Sequence, residues 1–197
     1  ERVTLGAGLT SVGSWSFGKC AALREVVFAT GGEALALGES AFNGCPELER
    51  VALPGNLATL GPYVFANTPK LGRIDVPDSV TSVGNGAFAG SGIRELVLGD
   101  GVVELGGYWY DNVDTDDYDN CAQYAAFGNC ARLTNVVFGA SLKAIGNHCF
   151  SQCTALPELA LPDTVETVGN ECFYRCAALT KVSPCENHTS RPVSHRD

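Results

Sequence analysis

The chain contains no methionine, three histidines and two tryptophans, and only 18% of its residues are charged. Each shortage removes a class of reading. Lacking Met and starting at Glu1 inside a repeat pattern, it is expected to be a processed chain or a piece of a longer one, and no signal peptide is visible. Thirteen Lys and Arg against 22 Asp and Glu leave a net charge of −9. That balance excludes nucleic acid and anionic membranes as partners, because both need clustered cations to neutralise phosphates. No apolar run approaches the roughly 18 residues that a membrane-spanning helix needs. Phosphate-cradling loops, nucleophile elbows and paired catalytic carboxylates are missing too. His148, His188 and His195 fall at no metal or triad spacing, and the adjacency of His148 and Cys149 lacks any orienting motif. Neither enzyme activity nor a cofactor is expected.

What is present is repetition. With 45% hydrophobic residues, the chain can bury a large core and is not disordered. The stretch from Leu159 to Lys181, LALPDTVETVGNECFYRCAALTK, recurs seven times at a spacing of mostly 23 residues. Units begin at Val3, Val26, Val51, Ile74, Leu96, Val136 and Leu159. Each carries a glycine (Gly13, Gly38, Gly61, Gly84, Gly106, Gly146, Gly169) and then a phenylalanine (Phe17, Phe42, Phe65, Phe88, Phe127, Phe150, Phe173). Three residues beyond Phe stand Cys20, Cys45, Thr68, Ser91, Cys130, Cys153 and Cys176, followed by a Leu or Ile. Such a period is the mark of a solenoid.

One unit can be read physically. Leu156, Leu159 and Leu161 give a short strand with its apolar residues on one side. Pro162-Asp163 ends that strand, since proline cannot donate to a continuing ladder. Val165 and Val168 form a second short extended segment, and Gly169 is expected to turn the chain at a positive φ. Asn170 to Cys176 is expected to make one or two helical turns that point Phe173 inward. A single unit cannot bury its apolar face, so neighbours must stack about 4.8 Å apart into a continuous core. The expected fold is therefore an α/β-type repeat solenoid, mostly short parallel strands with short helical turns. It spans residues 1–184, with an insertion at 107–123 and a polar tail or cap at 185–197.

The segments VPDSVTSVGNGAFAG (76–90) and ALPDTVETVGNECFYRC (160–176) resemble the BspA-like (Treponema pallidum-type) leucine-rich repeat. The resemblance runs from residue 3 to about 183, the insertion apart. It implies surface adhesion or protein binding without shared catalytic residues, and a cell-surface or secreted location.

Function is then expected where the repeat is broken or exposed. The insertion GYWYDNVDTDDYDNCAQY (107–124) sets Tyr108, Trp109, Tyr110, Tyr118 and Tyr124 among five aspartates. Exposed aromatics serve as contact anchors, although the rings could equally fold back over the solenoid. Starting from Asp114, the loop lacks the sixth-place glycine (Asp119) and twelfth-place glutamate (Ala125) of an EF-hand. No metal is expected; were calcium held outside that pattern, Asp114, Asp116, Asp117 and Asp119 would be its ligands. Cys149, Cys153, Cys172 and Cys176 invite a zinc or inter-repeat disulfide reading, but Thr68 and Ser91 share the column of Cys153 and Cys176, as small packing residues would. Cys121 and Cys185 lie outside that column, and Asn187-His188-Thr189 is a glycosylation sequon if the protein is secreted. On the strand face, one outward column alternates charge sign (Glu25, Arg50, Arg73, Glu95), while the other is small and aliphatic: Val27, Ala52, Val97, Val137 and Ala160. These residues suit a protein partner. A non-enzymatic interaction module is expected, with a scaffold subunit of a larger assembly or a cell-surface adhesion protein as alternatives.

Overall fold

The computed structural model describes residues 1–107 and 121–183. Two parallel ladders run its length. The first holds β1 (Arg2–Leu5), β3 (Glu25–Phe28), β5 (Arg50–Ala52), β7 (Arg73–Val76), β9 (Glu95–Leu98), β11 (Asn135–Val137), β13 (Glu158–Leu159) and β15 (Lys181–Val182). The second holds β2 (Ser11–Val12), β4 (Leu35–Leu37), β6 (Leu57–Leu60), β8 (Ser82–Val83), β10 (Glu104–Leu105), β12 (Ala144–Ile145) and β14 (Thr167–Val168). Only the second is continuous, with all seven strands paired in order. The first divides into β1-β3-β5, β7-β9-β11 and β13-β15. The later break has a visible cause. In the neighbouring junction the N–H of Thr180 donates to Pro157, and that of Thr134 to Arg94. Pro157 occupies the matching place between β11 and β13 and has no N–H to give.

The unit glycine works differently from the expectation. Neither Gly169 nor its counterparts at 38, 61, 84, 106 and 146 has a positive φ. What each needs is room: a Cβ on Gly169 would sit 2.4 Å from the backbone nitrogen of Asn147, and one on Gly61 would sit 2.6 Å from Leu37 O. The glycine lets consecutive repeats touch backbone to backbone at this corner.

Beyond that corner the expected helical turns are replaced by a third ladder. Two residues before and two after each Phe, the backbone turns left-handed, at Trp15 and Lys19, Ser40 and Gly44, Tyr63 and Asn67, Gly86 and Gly90, His148 and Gln152, and Glu171 and Arg175. In the fifth repeat, where the insertion enters, only Asn129 does so, and Ala125 is extended. Handedness that flips along the chain cannot propagate a helix; among the described residues helix is confined to Cys121 and the 3-10 turn that follows it, Ala122–Tyr124. Alternate N–H groups therefore point alternately. Ser16, Gly18 and Cys20 bond back within their own turn, to Gly13, Trp15 and Phe17, while Trp15, Phe17 and Lys19 bond forward to Glu39, Ala41 and Asn43 of the next repeat. Left-handed residues other than glycine cost roughly 1–3 kcal/mol each, so this dense bonding is what holds them.

The core lies between the three layers. Val26, Ile74, Leu96 and Leu159 enter from the first ladder, Leu37, Leu60, Val83 and Leu105 from the second, and the phenylalanines from the turns. The seven phenylalanine rings form one stack, with neighbouring centroids from 5.1 Å (Phe17–Phe42) to 6.0 Å (Phe150–Phe173). Near-parallel rings at that separation are favourable beyond their burial.

Candidate functional site

Strand pairing decides which predicted surface residues meet. Val27 pairs with Ala52, and Val97 lies between Asp75 and Val137, so the aliphatic column exists but Asp75 interrupts it. Val137 is 48% exposed, Ala52 and Ala160 are exposed, and Val27 and Val97 are half-buried. The adjoining charged column is internally matched. Arg73 meets Glu95 and Arg2 lies 3.5 Å from Glu25, while Arg73 also reaches across to Asp75 of the aliphatic column at 2.7 Å. Exposed pairs like these add little stability and instead fix a pattern of charge on the face.

Tyr108, Trp109, Tyr110, Tyr118 and the aspartates at 111, 114, 116, 117 and 119 lie outside the described residues, as do Cys185, His188, His195 and the sequon. The insertion's anchoring residues are described. Gly107 and Cys121 place it in chain order between the second ladder and the turn layer.

The cysteines make a column of a different kind. Cys45 donates its thiol to Phe17 O (3.1 Å), Cys130 to Phe88 O (3.2 Å), Cys153 to Phe127 O (3.3 Å) and Cys176 to Phe150 O (3.1 Å). Thr68 spans to Phe65 O within its own turn, at 2.7 Å. A small side chain with one donor is what this place requires, whether it ends in sulfur or oxygen. Among the described residues, no three His, Cys, Asp or Glu gather as a metal cluster would need. Burial pushes the thiols of Cys149 and Cys153 well above their ordinary value.

Sequence reasoning missed a groove of about 340 Å³ along the turn layer, lined by Trp15, Tyr63 and Tyr124 with Ser40, Asn43 and Asn67. The signal was available: Trp15, Ser40 and Tyr63 occupy one repeat position, two before Phe.

Three stacked layers, a corner glycine and an internal phenylalanine column define a leucine-rich-repeat solenoid of the short, strand-and-turn kind. The chain belongs to the BspA type leucine rich repeat family, whose model matches six copies over residues 1–115 and 121–192. A comparison with curated proteins returns no match. Among solved structures, it is similar to a leucine-rich repeat protein from Bacteroides ovatus, at 23% identity and a TM-score of 0.74, over 92% of this chain and 45% of that one. It is also similar to a leucine rich cell surface protein from Faecalibacterium prausnitzii, at 21% identity and a TM-score of 0.69, over 94% of this chain and 48% of that one. The chain thus spans under half the length of either. Repeats of this family make interaction or adhesion modules, typically non-enzymatic, with proteins as partners. Among the described residues, no helix is long and apolar enough to cross a membrane.

Proposed function

We propose that the chain recognises a protein partner through the outward face of the first ladder. The insertion's Tyr108, Trp109, Tyr110 and Tyr118 serve as anchors of a second contact. The observation that carries this reading is the exposure of Ala52, Val137 and Ala160 on one side of the solenoid beside charges of both signs, some of them paired across neighbouring strands. A flat strip of that kind offers apolar area for burial, and the charges select among partners and set their register. Tyrosine and tryptophan are the residue types that most often supply the few contacts that dominate affinity. The test is cross-linking of the full-length protein in its native extract, repeated with Val137→Asp and with Tyr108, Trp109 and Tyr110 all changed to Ala. Each variant should lose the same cross-linked protein; retention of every partner by both sinks the reading.

A second reading, as a spacer or adhesion segment within a longer surface protein, draws support from partial coverage of the similar structures, one of them described as a cell surface protein. Deleting the insertion separates the two. A recognition module loses its partner, whereas a spacer stays assembled. The adhesion version also requires a secretory signal in the full precursor.

A further inference from the structure

The turn layer carries a second and chemically different surface. Its groove is walled by three aromatic rings and floored by short polar side chains. Trp15 is 49% exposed, with its ring laid over Gly18, where a Cβ would come within 2.6 Å of it. Tyr63 lies across Gly86 in the same way and meets Tyr124 edge to face at 6.5 Å. Glycine at these two places leaves each ring a flat seat. The rings are held by backbone beneath them rather than by rotamer preference alone.

The floor is ordered as well. Asn67 donates its amide to Asn43 Oδ1 at 3.3 Å, and Asn43 donates onward to Ser40 Oγ, also at 3.3 Å. This relay links two neighbouring repeats and ties the polar side chains of the floor to one another. Asn67 Oδ1 faces Gly90, where a Cβ would approach to 3.1 Å. Asn67 itself sits at a φ of 55°, a conformation asparagine adopts more readily than most residues.

Three features point to one ligand class. The backbone N–H groups beneath the groove are already donated between repeats, by Ser40, Phe42, Gly44, Tyr63, Phe65 and Asn67. An extended peptide recognised through its main chain therefore finds no edge to pair with. Glu39 is the only charged residue lining the groove, Lys19 Nζ stands 5.9 Å from the centroid of the Trp15 ring, and the whole chain is acidic, so the groove has no excess of cations to hold an anionic ligand. Flat rings beside paired amide donors and acceptors match a molecule that presents C–H faces and hydroxyl edges together. The repeat rise, set by a strand spacing of about 4.8 Å, is close to the length of one pyranose unit in an extended chain. We propose that the turn-layer groove binds a neutral oligosaccharide. The sugar lies along the solenoid axis, stacked on Trp15 and Tyr63, with its hydroxyls bonded by Asn43, Asn67 and Glu39. This surface is separate from the first-ladder face assigned to a protein partner.

The test is affinity electrophoresis of the purified chain through gels containing a neutral β-glucan, α-glucan, mannan or galactan, with heparin as the anionic control. The expected result is retardation by at least one neutral polysaccharide. Trp15→Ala and Asn67→Gly should each weaken it roughly tenfold or more, a change large enough to read as a shifted Kd. Val103→Thr, an exposed change beside the second ladder, should leave it unchanged. Both groove variants are expected to fold, since Trp15 is exposed and glycine accepts the backbone of Asn67; thermal melts check this. With wild-type protein, a soluble hexamer of the retarding sugar should shift the NMR signals of the Trp15 indole and the Asn43 and Asn67 side-chain amides. Absence of retardation in every neutral gel, retardation by heparin alone, or shifts confined to other residues would overturn the proposal.

Discussion

Cys130 donates its thiol to the carbonyl oxygen of Phe88 at 3.2 Å, reaching back one repeat to the most central ring of the stack. Its sulfur also lies 3.5 Å from the hydroxyl of Ser91. Complete burial pushes this thiol from 9.0 up to about 12. The sign of the consequence is fixed. Between those two values the unfolded chain loses the proton and the folded chain keeps it, so stability is intact below pH 9 and falls as pH rises toward about 12. The slope is about 1.4 kcal/mol per pH unit for this one group. Cys130→Ser, which cannot ionise in that range, should flatten the alkaline limb by that share, as read from urea midpoints between pH 8 and 11.

The same burial predicts chemical silence. At pH 8, iodoacetamide should leave Cys130, Cys149, Cys153 and Cys172 unmodified in the native protein and label all four in urea, because the reactive species is the thiolate. Peptide mapping after a timed pulse checks it. Rapid native labelling at Cys153 would mean that the column opens without global unfolding.

Phe88 is fully buried between Phe65 (5.6 Å) and Phe127 (5.3 Å). Phe88→Ala should cost about 3–5 kcal/mol. Because each repeat contacts only its neighbours, the loss should also split the melt into separate transitions for the two flanking segments. Calorimetry distinguishes one transition from two.

Gly92 fills the repeat that is one residue short. A Cβ there would stand 1.9 Å from Pro69 O, and backbone cannot retreat as a flexible side chain can. Gly92→Ala should therefore destabilise by about 1–3 kcal/mol, whereas Gly72→Ala, with nothing within 4 Å, should not suffer this clash. Chemical denaturation of the pair gives the comparison.

His148 is buried with Nδ1 lacking a hydrogen bond and Glu171 Oε2 3.7 Å away. That carboxylate is too distant for a good hydrogen bond, and burial holds the imidazole below its ordinary 6.5. Here the unfolded state takes the proton first, so stability is full above pH 6.5 and declines as pH falls toward the lower folded value. His148→Asn suits the left-handed backbone (φ 56°) and should remove that part of the acid limb, seen in Tm between pH 7 and 5.

Repeat positions, strands and the inward face of each strand were legible because period-two alternation and a fixed recurrence leave few alternatives. The one-residue deletion at Gly92 was legible in the same way. The left-handed residues beside each Phe were not: Trp15, Lys19, Gln152 and Arg175 carry no sign of a positive φ, which the neighbouring repeat's hydrogen bonds impose on them. Conversely, Gly169 looked like a turn residue, but close approach to Asn147 explains it. The strand-face columns followed from alternation, whereas the break at Pro157 needed the partner strand to be seen. The aromatic groove escaped because Trp15 and Tyr63 are two repeats apart, and their column was hidden among Ser40, Gly86 and His148.

Two rows of peptide groups in the turn layer point one way along the whole stack. The N–H of each Phe from Phe17 to Phe150, and of the residue two beyond it, faces the following repeat, and the carbonyl that receives it faces back. The row two residues before Phe does the same at Trp15, Ser40, Tyr63 and His148, but is broken where the insertion enters. Strands in a sheet largely cancel their dipoles; these rows add theirs, as a helix does. On the opposite side of that layer the N–H groups of the corner glycines Gly38, Gly61, Gly84, Gly106, Gly146 and Gly169 donate to the preceding repeat, so the stack carries opposed dipole rows on different flanks, and each further repeat lengthens both.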